Sequence, residues 1–306
     1  MPAWYANNAT QLLDPTAVDT LTDTEIAFYK QHTGISDISE LQAHILAMQA
    51  RAFAVFPYPC IRRLAFVKLK ISRFAAYKEV LQLGRERPGA ILLDLGCCFG
   101  SDARKAVADG FPASQVVATD LKQEFWELGH ELFRSTSESC PIRFVQGDIL
   151  DPSFVAVNLT SPPTSGDVLG ACTAQRSLAP LQHLVSAIYA SAFFHLFGED
   201  DQTHIAKACY ALLSHQPGSI IFGSHRGSDI PASRGTERGD SFAHSPESWR
   251  EMWKKVAPDG SLQVDAWLSD DETTVSDTLA TEEQATDERG IQLFKGRWLV
   301  WVVRRV

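Results

Sequence analysis

The sequence predicts an α/β fold: a helical N-terminal segment of roughly 85 residues, then a parallel sheet built from βαβ units. Three observations predict it. Short apolar runs that close on an acid occur at residues 90–94, 116–120 and 143–148. Ten to fifteen residues of helical pattern separate these runs, the spacing of parallel strands joined by crossover helices. Before residue 86 no strand signal appears, and the apolar residues there recur at helical intervals.

Residues 37–56 read as a helix. Asp37 and Glu40 suit a capping box, and Ile38, Leu41, Ile45, Met48 and Ala52 recur three or four apart. Pro57 and Pro59 end it. A second helical stretch runs through Leu64, Phe74, Tyr77 and Leu81, stopping at Gly84 with Pro88 beyond. The first strand is followed by a helix over 101–109, closed by Gly110 and Pro112, and the second by a helix over 122–134. Residues 152–180, rich in Pro, Ser, Thr and Gly, read as a long surface loop. A buried strand follows at 185–190, a helix at 200–213 and a fifth strand at 218–223; 262–268 and 297–303 have strand composition. Between those last two, residues 269–289 carry eight acids and one Arg, read as a solvated loop.

Lys plus Arg number 28 against 37 Asp plus Glu, a net charge of −9. So acidic a chain lacks the basic footprint that phosphate backbones or anionic membranes require, which argues against nucleic acid or a membrane as partner. The six cysteines include the adjacent Cys97 and Cys98 but no C-x-x-C pair, so neither a disulfide framework nor a metal site is expected. Free thiols, an N-terminus without a basic and apolar leader, and apolar runs too short to span a bilayer lead to a cytoplasmic expectation.

The chemistry centres on residues 92–100, Leu-Leu-Asp-Leu-Gly-Cys-Cys-Phe-Gly. An acid closes a buried strand, and Gly96 and Gly100 allow the backbone to turn tightly beneath a ligand. A dinucleotide site would need G-x-G-x-x-G, and the last glycine is missing. An acid two residues before the first glycine suits a ligand bearing an ammonium rather than a pyrophosphate. S-adenosylmethionine carries that group together with a sulfonium. Asp120 ends the next strand, where a carboxylate accepts from both ribose hydroxyls. At the third strand end, Asp148 suits an adenine amino group, with Leu121 and Ile149 as apolar faces for the ring. Each acid alone is an ordinary turn residue; three in order at successive strand ends point to a nucleoside cofactor.

On these residues the chain resembles class I S-adenosylmethionine-dependent methyltransferases. It is most similar to the fungal branch serving meroterpenoid and polyketide pathways, in which the Cys-Cys-Phe-Gly form recurs. Residues 57–61 with Tyr77, residues 190–197, 217–219 and 244–249 share the likeness, which spans most of 40–306. The resemblance implies a Rossmann-like seven-stranded methyltransferase sheet with its last strand antiparallel. It also implies an N-terminal helical cap over the substrate (1–85) ahead of the cofactor domain (86–306). It carries cofactor contacts onto Asp94, Gly96, Gly100, Asp120, Leu121, Asp148 and Ile149; Cys98, Asp102 and Ser191 complete that candidate set. Departures are Ser186 where many relatives have an acid, Tyr189 where many have His, and Ser101 where Gln is frequent.

The expected reaction is O-methylation of a carboxyl or hydroxyl group on a hydrophobic natural-product intermediate. A carboxylate acceptor needs no base, whereas a hydroxyl does. Candidate bases are His195 and His244, with His225 as a third. Tyr58, Arg62, Tyr77, Phe194 and Arg226 are the substrate candidates, the arginines (Arg63 among them) for their fit to a carboxylate. The alternative is a methyltransferase fold catalysing a non-methylating cyclisation or isomerisation. The expected partner is a small molecule, and a homodimer is allowed as the assembly.

Overall fold

The computed structural model describes residues 13–155, 167–236, 239–270 and 297–306. Its sheet begins with the apolar runs noted above. Strands β1 (Ile91–Leu95) and β4 (Val185–Tyr189) are buried at every residue, as parallel strands covered on both faces must be. With β2 (Val116–Asp120), β3 (Arg143–Gln146), β5 (Ile220–Arg226), β8 (Leu262–Ser269) and β9 (Trp298–Arg305) they form a seven-stranded sheet. Its order is β3-β2-β1-β4-β5-β9-β8. The first five strands pair in parallel, and β9 is antiparallel to both β5 and β8. The chain therefore makes the seven-stranded sheet with an antiparallel last strand. Strand order reverses between β1 and β4, which opens a crevice above their C-terminal ends.

Helices α4 (Tyr77–Glu86), α5 (Ser101–Ala108) and α6 (Gln123–Leu132) contribute to the core on one sheet face. Helices α7 (Val168–Gln175), α8 (Glu199–Leu212) and α9 (Pro246–Val256) contribute to the core on the other. A third core gathers α1 (Asp23–Thr33), α2 (Ile38–Val55) and α3 (Pro59–Arg62). The α1 helix opens on a reciprocal Thr22–Glu25 capping box; Asp37 caps α2 by accepting from the Glu40 N–H. This third core includes Phe99, Phe125, Leu128, Leu132 and Phe133, so the N-terminal helices pack on α6 and on the turn after β1. Packing changes near residue 70: Leu69 belongs to this core and Ile71 to a sheet face. Among the described residues no helix is long and apolar enough to cross a membrane.

Several elements differ from expectation. The second helical stretch is broken, because Leu64 takes a left-handed φ of 54° and two short 3-10 turns follow, Ala65–Val67 and Ile71–Arg73. The helix starts only at Tyr77 and runs through Gly84, which lies against the Phe111 ring. The described part of the 152–180 segment is no surface loop. It forms α7 and the 3-10 turn Ala179–Leu181, with Leu169, Cys172, Leu178 and Leu181 buried. A hairpin, β6 (Ala232–Thr236) with β7 (Gly239–Ala243), was not foreseen. Of the acidic segment, 271–289 lies outside the described residues.

Gly129 of α6 faces the Phe99 carbonyl so closely that a β-carbon would collide with backbone that cannot yield. Gly129→Ala should therefore destabilise the protein by about 1–3 kcal/mol. A fall in the urea midpoint at unchanged slope would register it.

Candidate active site

The turn after β1 compresses three left-handed residues into five positions: Gly96 (φ 76°), Cys98 (φ 52°) and Gly100 (φ 67°). Glycine is required at the outer two by space as well as by φ. A β-carbon on Gly100 would strike the Trp126 ring and the Arg104 guanidinium, and one on Gly96 would meet the Phe193 ring at 2.6 Å. The turn is held from several sides. The N–H groups of Gly96 and Cys97 donate to the Thr119 carbonyl of β2. Buried Arg104 donates to the carbonyls of Phe99 (2.9 Å) and Gly100 (3.3 Å) while lying over the Trp126 and Phe133 rings.

Asp120 ties the turn to the second strand. Its Oδ2 accepts from the Cys98 N–H and its Oδ1 from the Lys122 N–H, both at 2.9 Å. With the Leu121 N–H as a third donor, the carboxylate still keeps acceptor capacity for a ligand hydroxyl. Beside it Leu121 is 52% exposed, an apolar side chain left uncovered at the site. Asp148 is exposed and holds its own loop through the Leu150 N–H at 2.9 Å. Ile149 differs from expectation: it is 4% exposed and packs into the sheet core rather than offering a face to a ring.

Asp94 is the unusual group. It is 3% exposed, takes the Ala103 N–H in the first turn of α5, and leaves Oδ2 without a hydrogen-bond partner. Burial, then the charges of Asp102 and Asp120, hold its carboxyl well above the usual carboxylate range. Asp102 is already engaged by protein: Oδ1 accepts from the Ile71 N–H and Oδ2 from the Tyr189 hydroxyl, each at 3.0 Å. Three acids around one turn, the innermost orphaned, form a site short of positive charge. An amino-acid ammonium supplies that charge. The residues present thus fit S-adenosylmethionine. Ser191, just beyond β4, adds a buried hydroxyl without a partner.

The catalytic and substrate candidates divide. His225 is fully buried; its Nδ1 accepts from the Trp301 indole N–H at 2.9 Å, leaving the ring proton on Nε2. His244 is 1% exposed, with Nδ1 2.8 Å from the Ser248 hydroxyl. Burial pushes His225 well below the ordinary histidine range and His244 down to about 4. Both rings pack on Trp249, and His195 stands edge-on to Trp298. The Arg226 guanidinium covers the Trp298 ring at 4.9 Å. Tyr58 and Arg62 are half-buried in the N-terminal segment, Tyr58 against Phe56 and Phe125; Arg63 is exposed. Two substrate candidates are corrected. Phe194 is wholly buried among His225, Trp249 and Trp301. Tyr77 donates its hydroxyl to Asp109 at 2.7 Å, at the end of α5 remote from the glycine turn.

Residues outside the sequence-derived set complete the site. The Tyr29 hydroxyl donates to Ser101 Oγ at 3.1 Å, and Ser101 donates to the Phe66 carbonyl at 2.6 Å, all buried. Nothing local links Tyr29 to a turn about seventy positions later, so no sequence pattern exposes the pair.

Because the folded chain holds the Asp94 proton longer than the unfolded chain does, its ionisation subtracts stability as pH rises from 3.8 through the raised value. Asp94→Asn should flatten that loss and raise apoprotein stability at neutral pH by about 1–2 kcal/mol. The same change should weaken S-adenosylhomocysteine binding about tenfold or more; thermal scans across pH and calorimetry read the two effects. Asp120→Ala should weaken that binding about 100-fold, again by calorimetry, through loss of charged hydrogen bonds.

Over residues 4–67 the chain matches the meroterpenoid methyltransferase N-terminal domain family. It is 34% identical to the asnovolin E/chermesin D methyltransferase of Aspergillus novofumigatus over 239 residues, 76% of each chain. It is 32% identical to the methyltransferase AusD of Aspergillus calidoustus over 75% of each chain. The fungal O-methyltransferase PhiE shares 30% identity over 72% of this chain and 66% of its own. Among solved structures, a 1,6-didemethyltoxoflavin-N1-methyltransferase of Burkholderia thailandensis aligns over 97% of this chain and 92% of its own, at 12% identity and a TM-score of 0.42. With relatives this similar over three quarters of its length, the chain belongs to the family of fungal meroterpenoid methyltransferases.

Proposed function

We propose that the protein methylates a carboxyl oxygen of a hydrophobic small molecule, with S-adenosylmethionine as methyl donor. The orphaned, buried Asp94 carboxylate beneath the glycine turn carries this reading, since it needs a cationic ligand group. When bound, S-adenosylmethionine supplies an electrophilic methyl group on a sulfonium. Asp94 and Asp120 would hold its amino-acid and ribose portions, and Leu121 would cover an apolar part of it.

The carboxyl preference follows from proton chemistry. Burial keeps His225 and His244 neutral, and a histidine pushed down to about 4 takes a proton from a hydroxyl poorly. A carboxylate is already ionised and needs no base. Arg226, stacked on Trp298 at the end of β5, is of the right type to orient it. The apolar N-terminal segment, with Phe56 and Tyr58 half-buried beside the cofactor turn, suits a greasy acceptor. The six free cysteines favour a reducing compartment such as the cytoplasm.

Incubation with S-adenosylmethionine and a panel of apolar carboxylic acids, each beside its alcohol, tests the reading. The expected products are S-adenosylhomocysteine and a methyl ester, heavier than the acid by one methylene, that alkali saponifies back to the acid. An alkali-stable ether would move the reaction to a hydroxyl, and absence of binding to either cofactor form in calorimetry would end the proposal. On the acid, His195→Gln or His244→Gln should lower kcat less than about tenfold, against the roughly 100- to 10,000-fold cost of losing a general base.

A further inference from the structure

Beyond β4 the chain turns through Ser191 and Ala192 into the 3-10 turn Phe194–Leu196. Ala192 occupies the left-handed region at φ 53°, and its N–H donates to the Ser224 carbonyl of β5 at 2.6 Å. Such a conformation persists in a non-glycine residue only where its surroundings enforce it. Its effect is to set Phe193 and Phe194 apart: Phe194 is buried in the sheet core, while Phe193 stays half-buried. Behind Phe193 lie Phe197, at 5.2 Å between ring centroids, and Phe194, edge-on at 6.1 Å. On its other side is the cofactor turn. A β-carbon on Gly96 would stand 2.6 Å from Cδ2 and 3.1 Å from Cε2 of Phe193. The aromatic ring thus rests on the α-carbon of the first glycine.

A ring adds a π system in an apolar surround, which favours a cation that cannot donate hydrogen bonds. The sulfonium of the methyl donor is such a cation. The carboxylates around the turn suit the other groups of the cofactor, Asp94 an ammonium and Asp120 ribose hydroxyls. We propose that Phe193 recognises the sulfonium, so that the site prefers the charged donor to the neutral thioether left after transfer. This assignment rests on the S-adenosylmethionine reading of the site and adds to it a discrimination between donor and spent cofactor.

Binding alone tests it, with no acceptor needed. Dissociation constants for S-adenosylmethionine and S-adenosylhomocysteine are measured by calorimetry on the full chain and on Phe193→Leu, Phe193→Met and Phe193→Tyr. The wild-type preference for the sulfonium form should fall about 3- to 10-fold in the Leu and Met variants and persist in the Tyr variant. Met provides the aliphatic comparison if Leu fails to fold, because its flexible chain fills gaps differently. An equal loss for both ligands, or an unchanged ratio, would make Phe193 an apolar wall and overturn the assignment. Failure of the wild-type chain to bind either ligand is a different result, which removes the cofactor reading itself.

Discussion

A carboxylate taken out of water with one oxygen unpaired is among the costlier groups a fold can hold, and the site is arranged around one. Asp94 lies one residue before the end of β1, and the turn that follows is left-handed at Gly96, Cys98 and Gly100. The first turn of α5 then points the Ala103 N–H back at the same carboxyl. Asp102 and Asp120 add negative charge nearby, so the turn is short of positive charge. A ligand with an ammonium would relieve that imbalance.

The N-terminal segment takes part in this arrangement. Phe66 stacks on Phe99 of the turn at 4.2 Å, Tyr29 and Ser101 bridge α1 to α5, and the Ile71 N–H anchors Asp102. The turn therefore takes its shape from the N-terminal segment as well as from the sheet. On the other side of the crevice, antiparallel β9 places Trp301 so that its indole N–H fixes the tautomer of His225. An antiparallel strand thus supplies the partner of a histidine buried at the end of β5.

Much of the sheet was legible because its strands are short apolar runs, and the acids that accompany the first three sit at the ends that form the crevice. The glycine turn and the acids Asp94, Asp120 and Asp148 could be placed for the same reason, whereas Ile149 lies buried in the sheet core. Less visible were elements whose pattern is short or interrupted. Residues 168–175 have too few turns for a helical period to register, and the break at Leu64 comes from a backbone angle that no composition announces. Asp102 was read as a cofactor contact from its place in the motif, yet Tyr189 and Ile71 engage both of its oxygens.

Residue order alone settles the strand sequence, the glycine turn, the acids at the strand ends and the family, since all of these are local patterns or matches along the chain. It cannot say which of two adjacent phenylalanines faces the turn, or that Tyr77 reaches Asp109 instead of a substrate. Those outcomes depend on where separate elements meet: Ala192 is held by Ser224 of β5, and Tyr77 of α4 lies beside the far end of α5. Distances across the sheet and between helices are products of packing, and packing chose Phe193 over Phe194 for the cofactor turn.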